Sequence, residues 1–199
     1  MAFLIVFSKA SYAQADTPHA FYSSAEFDLG NYIGLDLNLN YVYHEQLSFK
    51  MGYSGHVRKA RSKPADYSSG LVDGLFFGLL SPYDTFENFQ AGMGKIFKLN
   101  ESGTIRLNFS LGLGYTTIEE PGNWETSGGG IFVENYTWSY HKYNTISFIV
   151  NPKIEIPFSR FFGFTISPVV QISKDRIYYG IGFGEMMGLL RKRKTSASQ

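Results

Sequence analysis

Two short spacings in this chain have the composition of a nucleophilic site. Ser54 and His56 form one with Glu26; Ser139 and His141 form the other with Glu134. A serine becomes a nucleophile when a base lies within hydrogen-bond reach and a third group orients that base. The chemistry would be acyl transfer or hydrolysis. Ser-x-His is a common spacing, however, and in a strand it puts both side chains on one face without bringing them together. The sequence therefore assigns no catalytic residue. His19, His44 and His141 repeat no ligand spacing, so no metal and no cofactor is expected. Gly180-x-Gly182-x-Gly184 alternates along a strand and makes space there; it is not a dinucleotide fingerprint.

A second set is electrostatic. Glu26, Asp28, Asp36, Lys50, His56, Arg58, Lys98, Arg106, Lys153 and Glu155 each stand in the polar phase of an alternating stretch. Buried charges must be paired, so these residues predict an ion-paired interior. A third set lies between residues 117 and 142. Glu119, Glu120, Glu125 and Glu134 are mixed there with Trp124, Phe132, Tyr136, Trp138 and Tyr140 around Gly128-Gly129-Gly130. Aromatic anchors with polar neighbours suit contact with a ligand or partner, and Glu119, Glu120, Trp124, Glu125 and Trp138 are the leading contact candidates. Alternation of Tyr136, Trp138 and Tyr140 supports an equal reading, in which they extend a strand as an aromatic girdle.

The elements that must position these residues are strands. Leu35, Leu37, Leu39, Tyr41 and Tyr43 alternate with Asp36, Asn38 and Asn40; Ile105 to Tyr115 and Phe162 to Ile172 repeat the pattern. A period of two places each set on one face. Eight strands are predicted, at roughly 20–28, 32–43, 47–58, 86–98, 104–116, 143–156, 161–173 and 177–188. Long strands with one apolar and one polar face predict an all-β fold, an eight-stranded antiparallel up-and-down transmembrane barrel. No run of 18 apolar residues offers a transmembrane helix, and only a closed barrel would satisfy every backbone group of strands in lipid.

Composition agrees with this class. The 199 residues include 14 Tyr and 18 Phe, and 18 Lys plus Arg balance 17 Asp plus Glu. The balance gives no field for nucleic acid. No cysteine is present, which excludes disulfides and thiolate sites. Residues 1–15 read as a signal peptide, with an apolar run Ala2 to Phe7 and a small-x-small ending Ala13-Gln14-Ala15, although Lys9 follows the apolar run rather than preceding it. The barrel domain is then 16–190, and 191–199 is a basic periplasmic tail.

Loop lengths set the orientation. Periplasmic turns are short and extracellular loops longer, so the turns at 44–46, 100–103 and 157–160 face the periplasm. The long connections 59–85 and 117–142 face outward. A three-residue first turn, Leu29-Gly30-Asn31, would pair Asp28 with Tyr32 and bring Glu26 toward His56 across Gly34. The turn at 44–46 would pair Tyr43 with Leu47 and Asn40 with Lys50. Glu185 falls in the lipid-facing phase, which predicts a bulge or strand end near Gly184.

On the Leu35-to-Tyr43 strand, the His44-Glu45-Gln46 turn and the strand from Leu47 to Gly52-Tyr53-Ser54-Gly55, the chain resembles the small eight-stranded outer-membrane barrels, the OmpA/OmpX-like members of the porin superfamily. The resemblance spans the mature chain, and it implies residence in the bacterial outer membrane as a monomer. Partners implied are outer-membrane lipid, lipopolysaccharide and the barrel assembly machinery. Such barrels end on an aromatic residue; here Ile177 to Phe183 is followed by Gly188-Leu189-Leu190 and Arg191-Lys192-Arg193-Lys194. The expected function is non-enzymatic, with a side-chain-filled lumen and a structural, adhesion or ligand-binding role for loops 59–85 and 117–142. Its alternatives are a lipid A-modifying acyl hydrolase or transferase, which some barrels of this architecture are, and a narrow gated pore.

Overall fold

In a computed structural model, residues 19–75, 81–101, 103–128 and 132–190 are described. The expected signal segment, the basic tail, Gly129, Gly130 and residues 76–80 of the apolar run in the first long loop lie outside them. Eight antiparallel strands close into a barrel in sequence order: β1 His19–Gly30, β2 Ile33–Tyr43, β3 Leu47–Lys59, β4 Tyr83–Lys98, β5 Arg106–Thr126, β6 Tyr136–Ile156, β7 Phe162–Ser173 and β8 Ile177–Leu189. A short helix, α1 Gly70–Leu75, lies in the loop after β3. Closure comes from β1 against β8, from Phe21↔Leu189 to Gly30↔Gly180.

The faces follow the alternation. Polar and charged side chains point inward and are buried, among them Glu26, Asn40, Asn88, Ser147 and Glu155. The outer face carries the large apolar side chains. Met51, Phe89, Leu113 and Ile146 are 63%, 64%, 62% and 70% exposed to the surroundings. Each such side chain left in water forgoes about 1.5–3 kcal/mol of burial, and a continuous apolar wall of this kind is not a water-facing surface. Lipid must cover it. A closed barrel with an apolar exterior and a polar, filled interior is a transmembrane β-barrel. None of the described helices is long and apolar enough to cross a membrane.

The lipid band has visible edges. Phe21, Tyr41, Tyr43, Phe49 and Phe97 line the short-turn end on β1 to β4, as interfacial aromatics do. Toward the outside, the outward residues of β5 and β6 change from Tyr115 and Ile146 to the hydrogen-bonded pair Thr117–Asn144, and then to the ion pair Glu119–Lys142.

Four expectations need correction. The first turn is Gly30-Asn31-Tyr32, so Leu29 pairs with Ile33 and Asp28 with Gly34. The shift preserves the faces but frees Tyr32, whose ring folds into the mouth against Phe86 and Tyr178 while Asn31 bonds the Ile177 carbonyl. By contrast, the pairs Tyr43↔Leu47 and Asn40↔Lys50 form in the expected register. Secondly, residues 117–142 are mostly strand: β5 and β6 stay paired to Thr126↔Tyr136, with one irregularity between Gly122 and Glu125. Their alternating aromatics continue the ladder instead of ending it. Thirdly, β8 pairs without a bulge, Gly184 with Glu26 and Glu185 with Ala25, so Glu185 stays on the outer face. Its backbone bonds to β1 and β7 on both sides hold the register. Finally, Lys98 lies at the short-turn edge, exposed and paired with Glu45 at 2.5 Å, rather than in the lumen.

Candidate functional site

The lumen is filled in layers, each assembled from inward residues of strands distant in sequence. At the short-turn end Glu155 is the hub. Arg106 Nε reaches it at 2.5 Å, Tyr22 donates to it at 2.7 Å and Asn108 at 2.9 Å. A second Arg106 nitrogen donates to the Leu190 carbonyl at 3.1 Å, tying the end of β8 to this hub. Midway, Lys153 pairs with Glu26 and Lys50 donates to Asn151 Oδ1 at 2.8 Å. Gln90 donates to Asp36 at 2.7 Å and to Asn38 at 3.0 Å. Above them Thr116 joins Asn88, Ser147 and Gln171.

Near the mouth His56 Nε2 meets Asp28 Oδ2 at 2.7 Å, both groups buried. The expected Glu26–His56 pair does not form. In the observed register Asp28, Gly34 and His56 share one row while Glu26 pairs with Asp36 in the next, and Lys153 takes the Glu26 carboxylate from across the lumen. An apolar layer of Ile118 and the rings of Tyr32, Phe86 and Tyr178 covers this pair, with the His56 ring 4.1 Å from that of Tyr178. Arg58 closes the top: it pairs with Asp84 at 2.8 Å, lies 4.2 Å over the Tyr32 ring and comes within 3.7 Å of Glu120.

Neither serine set is assembled. Ser54 and His56 share the luminal face, but the His56 contact is with Asp28, and no hydrogen bond joins it to Ser54 among the described residues. Ser139 instead accepts from Asn123 at 2.9 Å, and His141 is exposed over Gly122. No group of three or more potential metal ligands converges among the described residues.

The long-loop end is a built object. Beyond the rim, β5 and β6 continue as a two-stranded ribbon, which alone would be marginally stable. The loop after β3 packs along it. Ser62 donates to the Pro121 carbonyl and accepts from Trp124 Nε1 at 3.2 Å. Asp66 takes the Tyr136 hydroxyl at 2.9 Å on each oxygen and, through its carbonyl, the Asn135 side chain at 2.8 Å. Tyr67 fits edge-on between Trp124 and Trp138, 5.7 and 6.1 Å away. Gly70, at φ 70°, is required where it sits: a Cβ would lie 2.7 Å from the Phe132 carbonyl oxygen.

Of the expected contact residues, Trp124 and Trp138 are half-buried in this packing and Glu125 is exposed. Glu119 is held by Lys142 at 2.6 Å. Glu120 points inward, holding Arg176 at 2.5 Å and accepting from Tyr143 at 3.1 Å. Burial and then the Glu120 charge push the Tyr143 hydroxyl up to about 12. The bond and charge of Glu119 raise Lys142, and the Asp66 bond raises Tyr136. Asp84, Arg176, Asp66 and Asn135 do not stand out in the sequence, because each works through partners fixed only by the fold; Asp66 and Tyr136 are 70 positions apart. Asp84 alone left a signal, standing two residues before Phe86 in the polar phase.

Barrel closure, apolar exterior and filled lumen define the class as a small transmembrane β-barrel. No protein-family model matches the chain, and no curated protein sequence matches it. Among solved structures it is similar to Ail, the attachment invasion locus protein of Yersinia pestis, at 11% identity over 86% of this chain and 96% of that one, with a TM-score of 0.48. The N-terminal β-barrel domain of Pseudomonas aeruginosa OprF matches at 10% identity, 86% and 96% coverage and a TM-score of 0.47. Neisserial surface protein A matches at 8%, covering 89% of this chain and 100% of its own, with a TM-score of 0.48. These neighbours are bacterial outer-membrane barrels. The architecture of the present chain rests on its own strand pairing.

Proposed function

We propose that this chain is a non-enzymatic outer-membrane barrel, anchored in lipid by its wall and plugged by its paired luminal charges, that contacts a ligand or partner through its extracellular head. In this reading residues 1–15 direct export, the barrel assembly machinery inserts residues 16–190 as a monomer, and 191–199 remain periplasmic. The observation that carries it is the stitching of the β3–β4 loop onto the β5–β6 ribbon. A protein whose loops only connect strands has no need of a tie of this many hydrogen bonds and an aromatic wedge. The head presents Phe132 and Val133, 66% and 58% exposed, beside the exposed Glu125.

The surface next to the lipid offers a first ligand class. Lys59, Arg61 and Lys63 are exposed at the base of the head, where phosphate groups of lipopolysaccharide would lie. Charge-assisted contacts to phosphate are strong. Lipopolysaccharide retention by the refolded protein tests this reading, with K59A/R61A/K63A and dephosphorylated lipopolysaccharide as the two arms. Weaker retention in both arms is expected; retention equal to wild type in both would exclude the contact.

A further inference from the structure

The seam between β6 and β7 breaks in the middle of the lipid-facing wall. Pairing runs from Ser147↔Ser173 to Val150↔Val170, stops, and resumes in the same register at Ile154↔Ile166. The cause is in the sequence. Pro152 and Pro168 stand opposite each other in that register, and neither has an N–H to give the ladder. Both occupy outward positions at the centre of the apolar runs Ile146 to Ile156 and Phe164 to Ile172. Within the lipid band the other seams are continuous among the described residues. The lumen replaces part of the loss: Asn151 Nδ2 donates to the Pro168 carbonyl and to Ser167, each at 2.8 Å.

Outside the break is an apolar groove of about 420 Å³, running from the two prolines past Val170 and Tyr179 to the Gly30–Gly180 pair. Val169 lines this groove and also packs on the luminal cluster of Tyr32, Phe86, Ile118 and Tyr178. The wall there is one side chain thick. Dents of similar size beside Met51 and Phe89 lie over unbroken ladders. A continuous ladder must lose backbone hydrogen bonds to part, and in lipid those bonds have no substitute. At Pro152 and Pro168 they are already missing.

We propose that this seam is a lateral lipid site: an acyl chain of a surrounding bilayer lipid wedges between Pro152 and Pro168 and reaches Val169 and Ile149. The occupant follows from the depth and the lining, since the groove is apolar and opens midway across the wall, where only acyl chains are available. The test is photo-crosslinking of the full chain in phosphatidylcholine vesicles whose lipid carries a diazirine midway along one acyl chain, with adducts mapped by mass spectrometry. Adducts on the buried, inward-facing Ile149 are expected, alongside those on outward residues of every strand and on Val169, which the groove already reaches from outside. Replacing both prolines, P152V/P168V, restores the missing donors and should lower the inward adducts about tenfold, since each regained hydrogen bond adds to the barrier. Adducts on Leu113 and Phe89 should not change. Adducts confined to outward residues in the wild-type barrel, or inward adducts that persist undiminished in the double variant, would overturn the proposal.

Discussion

Each luminal cation holds a carboxylate or an amide that another strand supplies, and the value of such a contact depends on where it lies. Arg106 and Glu155 are buried together, so removing one partner strands the other in a dry interior. E155A should lower unfolding stability by roughly 3–5 kcal/mol, measured by denaturant titration in lipid vesicles. K98A, which removes an exposed pair with Glu45, should change it by less than about 1 kcal/mol. At the mouth, Tyr143 supplies a pH signature. Its folded value of about 12 stands above the ordinary tyrosine value of about 10. The stability that it contributes is therefore complete below about pH 10 and lost as pH rises through about 12. Ultraviolet titration should show a late-ionising tyrosine fraction that Y143F reduces by one tyrosine, and E120Q should bring that tyrosine's transition earlier.

At the scale of elements, the ribbon and the loop that straps it form one unit. Replacing residues 123–136 with a two-residue turn removes Trp124, Asn135 and Tyr136, the groups that hold Ser62, Asp66 and Ser68. The truncated barrel should still insert and show its heat-dependent gel shift, while trypsin should cut after Arg61 many times faster than in the intact protein. Unchanged protection there would show that the strap is ordered without the ribbon. The eight strands and their faces were legible in the sequence because a period of two depends on local residues alone. The turn at 44–46 was legible for the same reason. The first turn was not, because Tyr32 leaves the ladder for a mouth built by Phe86 and Tyr178, residues of two other strands. The ribbon was visible only as a choice between loop and strand, since Tyr136, Trp138 and Tyr140 alternate but pair with a segment containing Pro121, Gly122 and Asn123. The luminal set was legible as a set, while its partners depended on which strands face one another across the closed barrel.

For the whole molecule, the account turns on which face meets lipid. An arginine at Leu113, near the middle of the apolar run of β5, should cost roughly 2–4 kcal/mol of membrane-folded stability, whereas the same change at exposed Glu125 in the head should have little effect. The most direct test uses the absence of native cysteine. Single cysteines placed in turn from Leu107 to Tyr115 are spin-labelled in the refolded protein, and their accessibility to oxygen dissolved in the bilayer is measured. A period of two is expected, with maxima at Leu107, Phe109, Leu111, Leu113 and Tyr115 and minima at Asn108, Ser110, Gly112 and Gly114. The opposite phase, as in a soluble barrel with its apolar face inside, or no periodicity at all, would contradict it.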